Sequence, residues 1–536
     1  MFPNSISFGR LQAGLTADLL WLLPEIILCL AMVLMLFLRL FGPFQKLHMG
    51  SIALGAAGAT LAACVRHLIE VEPNQVFRRF LFSDLLVLDS LALFGRVVLS
   101  AALFLFILLT LLSRVPDKED SPDFYVMVLG STLGMFLMSE ANHLLTVFIA
   151  VEMASIPSYT LSGFFKGNRR ASEAALKYVV YGAAASGVML YGISLLTSIY
   201  GTGNLSTISH QWSDQFREGK MPATALAALG LVLVGLAFKL SLVPFHFWLP
   251  DVFEGASAEV GGYLSVASKA AAFLLTTRLF ILLWGSADSA AHMTLSSSIG
   301  PILACIAAAT CTLGNLAAFG QTNIKRLLAY STIAHAGYMF MGLAIYNESG
   351  AAAVLFYLPG YLFMNLAAFG AVCFLRNATN SELIADYAGI AKRAPFLVAG
   401  FSIAIFGLLG IPPLVGFAAK FQIFAALVET GRSQMVIFPL AGKICYALLI
   451  IAAINTILSA AYYLRVLRVM ILDDPPVKEH YRKVSPYQSG YVMLAASAVV
   501  VLGILWNPLE RMSRQATLSP LQEQHHNEMD FFRSGP

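Results

Sequence analysis

The sequence predicts an all-α polytopic membrane protein of about 14 transmembrane helices, with two inverted five-helix repeats and broken helices 7 and 12. Three observations predict it. Of 536 residues, 58% are hydrophobic and only 12% are charged, about half the charged share of roughly 25% in a soluble domain. Apolar runs of about 18 residues or more recur along nearly the whole length, each long enough to cross about 30 Å of hydrocarbon. Two lysines stand inside proline-broken apolar runs, Lys239 in 235–251 and Lys420 in 406–424. An ammonium at that depth is costly and marks function by default, and paired broken helices are where transporters bind ions.

Taken in order, the runs are 18–40, 49–68, 86–113, 123–140, 142–164, 172–200, 222–244, 258–284, 298–319, 324–346, 351–376, 396–428, 443–471 and 488–508. The first lacks a strongly basic leader and a clear small-residue cleavage site, so it reads as a retained helix. The fourth and fifth meet at a tight polar break around Glu140, Asn142 and His143. The seventh breaks at Pro244. The twelfth is too long for one simple crossing and splits at Gly410-Ile411-Pro412-Pro413. Proline frees backbone groups that hydrocarbon cannot satisfy, so such breaks belong where protein or water lines the gap.

Charge sets the orientation. The odd-numbered loops hold Lys46, Arg114, Lys118, Lys166, Arg169, Arg170, Lys325, Lys392, Arg393, Lys478, Arg482 and Lys483; the even-numbered loops hold Arg78, Arg79, Arg217, Lys220 and Arg432. Odd loops are therefore expected in the cytoplasm, with both termini on the other side. Spans 4–8 and 9–13 form two five-helix units, and an odd count per unit inverts the second. The expected division is a three-helix segment over 1–122, the first repeat over 123–285, the second over 286–472, and the last helix and tail over 473–536. Glu152 and Lys239 lie 87 residues apart, His335 and Lys420 85.

The ionisable groups expected at membrane depth are Glu152, Lys177, Lys239, Lys269, His335 and Lys420. Arg278 and Lys443 lie nearer helix ends, where long side chains reach the headgroups. Glu25, just after Pro24, is expected to make a structural or partner contact. Glu152 and Lys239 form the sharpest pair: together they stabilise each other's charged forms, and apart they favour the neutral ones. The alternative is a static buried salt bridge. Lysine suits proton transfer because its affinity for a proton shifts readily on burial, whereas arginine stays charged. His335 is either a shuttle or a hydrogen-bonded packing residue. Ser241, Ser265, Ser268, Tyr330, Ser331, Tyr357 and Asn365 supply polar groups that can hold water between these sites.

Six cysteines stand in apolar context without a CxxC pair, so the chain is expected to hold no iron–sulfur cluster or zinc. Neither GxGxxG nor a P-loop is present, which leaves nucleotide binding unsupported.

Motifs narrow the reading. LLPEIIL (22–28), TVFIAVEMASIPSYTL (146–161), ALKYVVYGAAASG (175–187), FKLSLVPFHFWLPDVFEGA (238–256), QTNIKRLLAYSTIAHAGY (321–338) and GIPPLVGFAAKF (410–421) resemble the antiporter-like membrane subunits of respiratory complex I, specifically the subunit N type of bacterial NADH–quinone oxidoreductase. The resemblance covers nearly the entire chain. It implies fourteen helices in two inverted repeats, a glutamate on helix 5 and lysines on helices 6, 7, 8 and 12. Those fall on Glu152, Lys177, Lys239, Lys269 and Lys420. Lysine at 420 argues against the subunit M type, and the chain ends soon after span 14 without the lateral helix of the subunit L type. One stretch departs: where the family has a segment resembling GAPTPV, this chain reads GASAEVGGYLSVASK. Glu259 is expected either to tune proton uptake or to be a solvated helix-start acid, and Gly261 and Gly262 to loosen helix 8.

The resemblance implies a proton-translocating subunit without cofactors of its own, with flavin, iron–sulfur clusters and the quinone site in other subunits. Its partners would be the neighbouring antiporter-like subunit, small membrane subunits and lipid, not nucleic acid, in the bacterial inner membrane. In this scheme Glu152–Lys239 is the input switch, Lys269 the central relay and Lys420 the output. The alternatives are a cation/proton antiporter subunit driven by an ion gradient, and a scaffold whose lysines sit in static salt bridges.

Overall fold

The computed structural model describes residues 18–41, 48–71, 77–114, 121–165, 167–285, 289–475 and 481–518. Lys46, Lys118, Lys166 and Lys478, and the tail from 519 onward, lie outside them. Helices α1 (Leu23–Leu40) and α2 (Met49–Glu70) precede a short antiparallel hairpin, β1 (Arg78–Leu81) with β2 (Leu86–Asp89). Then come α3 (Ser90–Ser113), α4 (Ser121–Glu140), α5 (Leu144–Ser162), α6 (Arg169–Tyr200), α7 (Leu205–Arg217), α8 (Ala223–Leu240), α9 (Trp248–Gly255) and α10 (Ala258–Tyr263). A π-helical turn, Leu264–Ser268, joins α10 to α11 (Lys269–Gly285). The rest are α12 (Ser289–Ala318), α13 (Ile324–Ala344), α14 (Glu348–Thr379), α15 (Pro395–Leu409), α16 (Val415–Ile437), α17 (Pro439–Ile471) and α18 (Pro486–Ile504).

Among the described residues, thirteen helices are long and apolar enough to cross a membrane, or fourteen if one bent pair counts as a span. The expected twelfth run is the separate helices α15 and α16. The third starts four residues late, because Leu86–Asp89 is a strand. Asp89 ends it by capping α3: its carboxylate accepts from the Ala92 N–H at 2.8 Å, satisfying a donor that a helix start leaves free. The amphipathic α7, which no apolar run announces, lies between the sixth and seventh spans.

Burial separates centre from rim. In an apolar 18-residue stretch of each span, 100% of the residues are buried in Ala258–Leu282 and 94% in Ile324–Ala344, against 28% in Leu23–Leu40 and Pro439–Ile471. So α10, α11 and α13 run through the middle, while peripheral helices expose Leu30, Ile450 and Leu494, as faces toward hydrocarbon or a neighbouring subunit do. Without a hydrophobic drive inside lipid, helices associate by close packing of small residues. A Cβ on Gly134 would lie 2.4 Å from the Ala154 nitrogen, and one on Gly337 equally near that of Cys311. These glycines let α4 meet α5 and α13 meet α12.

Two buried arginines tie the first helices to the centre. Arg278 donates to both Asp89 oxygens at 2.7 Å and also to the Ser139 carbonyl. This corrects the anchoring role expected for Arg278, which is fully buried, whereas Lys443 is exposed. Arg96 contacts Glu140 at 2.6 Å and Glu25 at 2.9 Å. Glu25 thus makes its contact within the chain.

Candidate proton-transfer axis

The two breaks organise the site. Helix α8 stops at Leu240; Ser241 is left-handed (φ 56°), and a cis bond precedes Pro244. Helix α15 stops at Leu409; Gly410 is left-handed (φ 89°), and Pro412–Pro413 is cis. Each stop leaves carbonyl groups without helical partners at the negative end of a helix dipole. A buried lysine meets each of them. Lys269, the first residue of α11, donates to the Lys239 carbonyl at 3.2 Å and the Ser241 hydroxyl at 2.5 Å. Lys420 donates to the Leu409 carbonyl at 2.9 Å. Lys239, Lys269 and Lys420 are 3%, 1% and 4% exposed, so all three ammonium groups depend on protein groups for compensation.

Lys239 closes the last turn of α8. Its ammonium has no hydrogen-bond partner among the described residues and lies 5.8 Å from the centre of the Tyr159 ring. Glu152 on α5 acts on it electrostatically but accepts its hydrogen bond from Ser186. No ion pair within 4 Å joins Glu152 to Lys239 among the described residues. The expected pair is therefore coupled without being locked, and the Lys239 ammonium keeps its donors without protein partners among the described residues. This geometry does not match a static salt bridge between the two.

Ser265 lies about one turn before Lys269 on the same helix. A π turn widens the helix there, a feature often found at functional sites. Ser265 contacts Thr332 at 3.0 Å, Tyr361 at 3.2 Å and Asn365 at 3.3 Å. Thr332 and His335 share one side of α13. The His335 ring bonds the Tyr357 hydroxyl through Nδ1 at 2.7 Å and reaches Tyr463 through Nε2 at 3.5 Å. Lys420 follows, 4.7 Å from the Tyr338 ring centre and in electrostatic contact with His335.

Lys177 stands apart. Its side chain is 39% exposed and pairs at 2.8 Å with both Glu173 and Asp251. The expectation of a buried group fails because α6 is peripheral and Lys177 lies near its charged end. Asp251 also binds Arg326 at 2.7 Å, so Lys177 belongs to a rim of charges. The near-equal spacings of 87 and 85 residues do not mark equivalent positions either: Lys239 precedes Pro244 and stands before its break, whereas Lys420 follows Pro413 and stands after its break.

Tyr159, Tyr361, Tyr463 and Thr332 complete the axis and were not singled out from sequence. The spacing of Tyr357, Tyr361 and Asn365, one polar group per turn on an apolar helix, is the signal that finds part of it.

A family model described as NADH:quinone oxidoreductase/Mrp antiporter, TM, matches residues 141–445. NADH-quinone oxidoreductase subunit N of Anaeromyxobacter sp. (strain Fw109-5) is 38% identical over 512 residues, covering 92% of this chain and 95% of that one. The chain belongs to this antiporter-like membrane family, in its NADH-quinone oxidoreductase subunit N branch. A chain of respiratory complex I from Thermus thermophilus with bound aureothin superposes with a TM-score of 0.72 at 28% identity, covering 91% of this chain and 98% of that one. A chain of the Mrp complex from Dietzia sp. DQ12-45-1b gives 0.81 at 20% identity, covering 94% and 97%. That second likeness is one of fold.

Proposed function

We propose that the chain is a proton-translocating, non-redox membrane subunit of a multisubunit NADH–quinone oxidoreductase. One observation carries the reading: two helix breaks deep in a membrane fold, each with a buried lysine on its carbonyl end, with buried hydroxyl, amide and imidazole groups placed between them. Glu152 and Lys239 act as the input switch, Lys269 as the relay, His335 as the link and Lys420 as the output. Lys177 acts at the rim, through Asp251. Flavin, iron–sulfur clusters and the quinone site belong to other subunits, and lipid and neighbouring membrane subunits cover the exposed apolar faces. The two five-helix repeats, the bacterial inner membrane, odd loops in the cytoplasm and both termini outside complete the assignment.

The test is NADH-driven acidification of inverted membrane vesicles, wild type against Lys239→Ala, normalised to assembled complex. Loss of acidification with assembly intact supports the reading. Acidification that follows a sodium gradient and ignores NADH would instead select the antiporter reading.

A further inference from the structure

Glu259 is neither solvated nor paired in the ordinary way. It is fully buried at the start of α10. One carboxylate oxygen accepts from the Cys373 thiol of α14 at 2.9 Å; the other has no hydrogen-bond partner among the described residues. Burying a carboxylate oxygen without a partner costs several kcal/mol unless the group gains a proton. A partly exposed acid lies beyond it. Lys325, itself buried, feels Glu259 electrostatically and bonds Glu382 at 2.7 Å, and Glu382 is 22% exposed. Arg376 approaches Glu382 at 3.5 Å.

The seam inward is equally specific. Helix α10 and the π turn run antiparallel to α14, so Glu259 faces Cys373 and Ser265 faces Asn365 and Tyr361. Between these polar ends lies Phe369, buried against Gly261 and Gly262; a Cβ at 262 would approach the Phe369 Cβ to 3.0 Å. The two glycines bring the helices close enough for the ring to fill the gap. Glu259, Gly261 and Gly262 thus line one seam between α10 and α14.

We propose that Glu259 is the outer proton-binding residue of an uptake seam between α10 and α14, closed from Ser265 by the Phe369 ring. The step is proton transfer alone. Water beside Glu382 and Lys325 gives a proton to the free oxygen, the carboxylate becomes a neutral acid, and release inward restores it. This rests on the proton-translocation reading above.

The experiment compares wild type, Glu259→Gln and Glu259→Asp in the assembled complex. Glu259→Gln keeps the shape and removes the proton site, and NADH-driven acidification per complex is expected to fall about a hundredfold or more, the scale on which proton-transfer groups contribute. Glu259→Asp should restore part of it, which a packing role would not. Normal acidification by Glu259→Gln overturns the inference and leaves the wider reading standing, whereas wild-type vesicles that do not acidify overturn both. If the variant does not assemble, the wild-type complex decides through the Cys373 S–H infrared stretch, assigned by its loss in Cys373→Ala. A band that shifts with pH on the Lys325 face supports the inference, and a band fixed across pH ends it.

Discussion

Lys269 donates a hydrogen bond to the backbone oxygen of Lys239 at 3.2 Å, so one buried lysine caps the helix whose last turn carries the other. Their ammonium groups therefore share one low-dielectric space, with Ser241 bound to Lys269 and Tyr159 beside Lys239. Like charges that close disfavour each other.

Coupling of this kind is measurable. Lys239→Ala and Lys269→Ala are each expected to abolish most NADH-driven acidification, and the double variant to lose no more than either alone. Additive losses in the double-mutant cycle would show two independent sites instead.

The Arg278–Asp89 pair predicts a different signature. Breaking a fully buried, bidentate pair leaves one charge without its partner, at a cost of about 3–5 kcal/mol. Arg278→Leu and Asp89→Leu should each lower the amount of assembled complex in membranes, read by native gel. Arg278→Lys should rescue poorly, since an ammonium cannot reproduce the two-pronged contact. Acidification per assembled complex should stay near wild type, because neither residue touches the axis.

Much of this was legible beforehand, for reasons that differ by residue. Spans were readable because hydrocarbon demands long apolar runs. The burial of Lys239, Lys269 and Lys420 is readable because each stands inside a long apolar run. The hairpin Arg78–Asp89 was hidden because Leu86–Asp89 is as apolar as the helix after it. Arg278 misled because distance from a helix end says nothing about which neighbour faces it. Asp89, 189 residues away in sequence, is its partner. Lys177 misled for the same reason: its run is apolar, but α6 lies at the edge. Tyrosines such as Tyr463 carry no mark in sequence, since most buried tyrosines only pack.

Gly182 shows how tightly the Lys239 surroundings are built. A Cβ there would fall 2.1 Å from the Tyr159 hydroxyl, while one on Gly187, a turn further on, meets nothing within 4 Å. Gly182→Ala should push the Tyr159 ring, destabilise by about 1–3 kcal/mol and reduce acidification. Gly187→Ala should do neither. Thermal denaturation of the purified complex, run beside vesicle assays, separates the two.

Lys177→Met tests the rim. Asp251 keeps Arg326 when Lys177 is lost, and half-exposed pairs contribute about 0–1 kcal/mol. Assembly should therefore hold, and acidification should fall less than in Lys239→Ala. An equal fall would place Lys177 on the proton path itself.

Lys420 offers the cleanest separation of structure from proton exchange. Its ammonium caps the Leu409 carbonyl at the second break, and any permanent cation with a donor can do that. Arginine is such a cation, and it does not give up its proton. Lys420→Arg is expected to assemble and to reduce quinone poorly, with acidification nearly lost. Lys420→Met removes cap and proton together and should show the same loss, with a less stable complex as well. If Lys420→Arg acidifies vesicles at the wild-type rate, Lys420 holds the broken helix and nothing more.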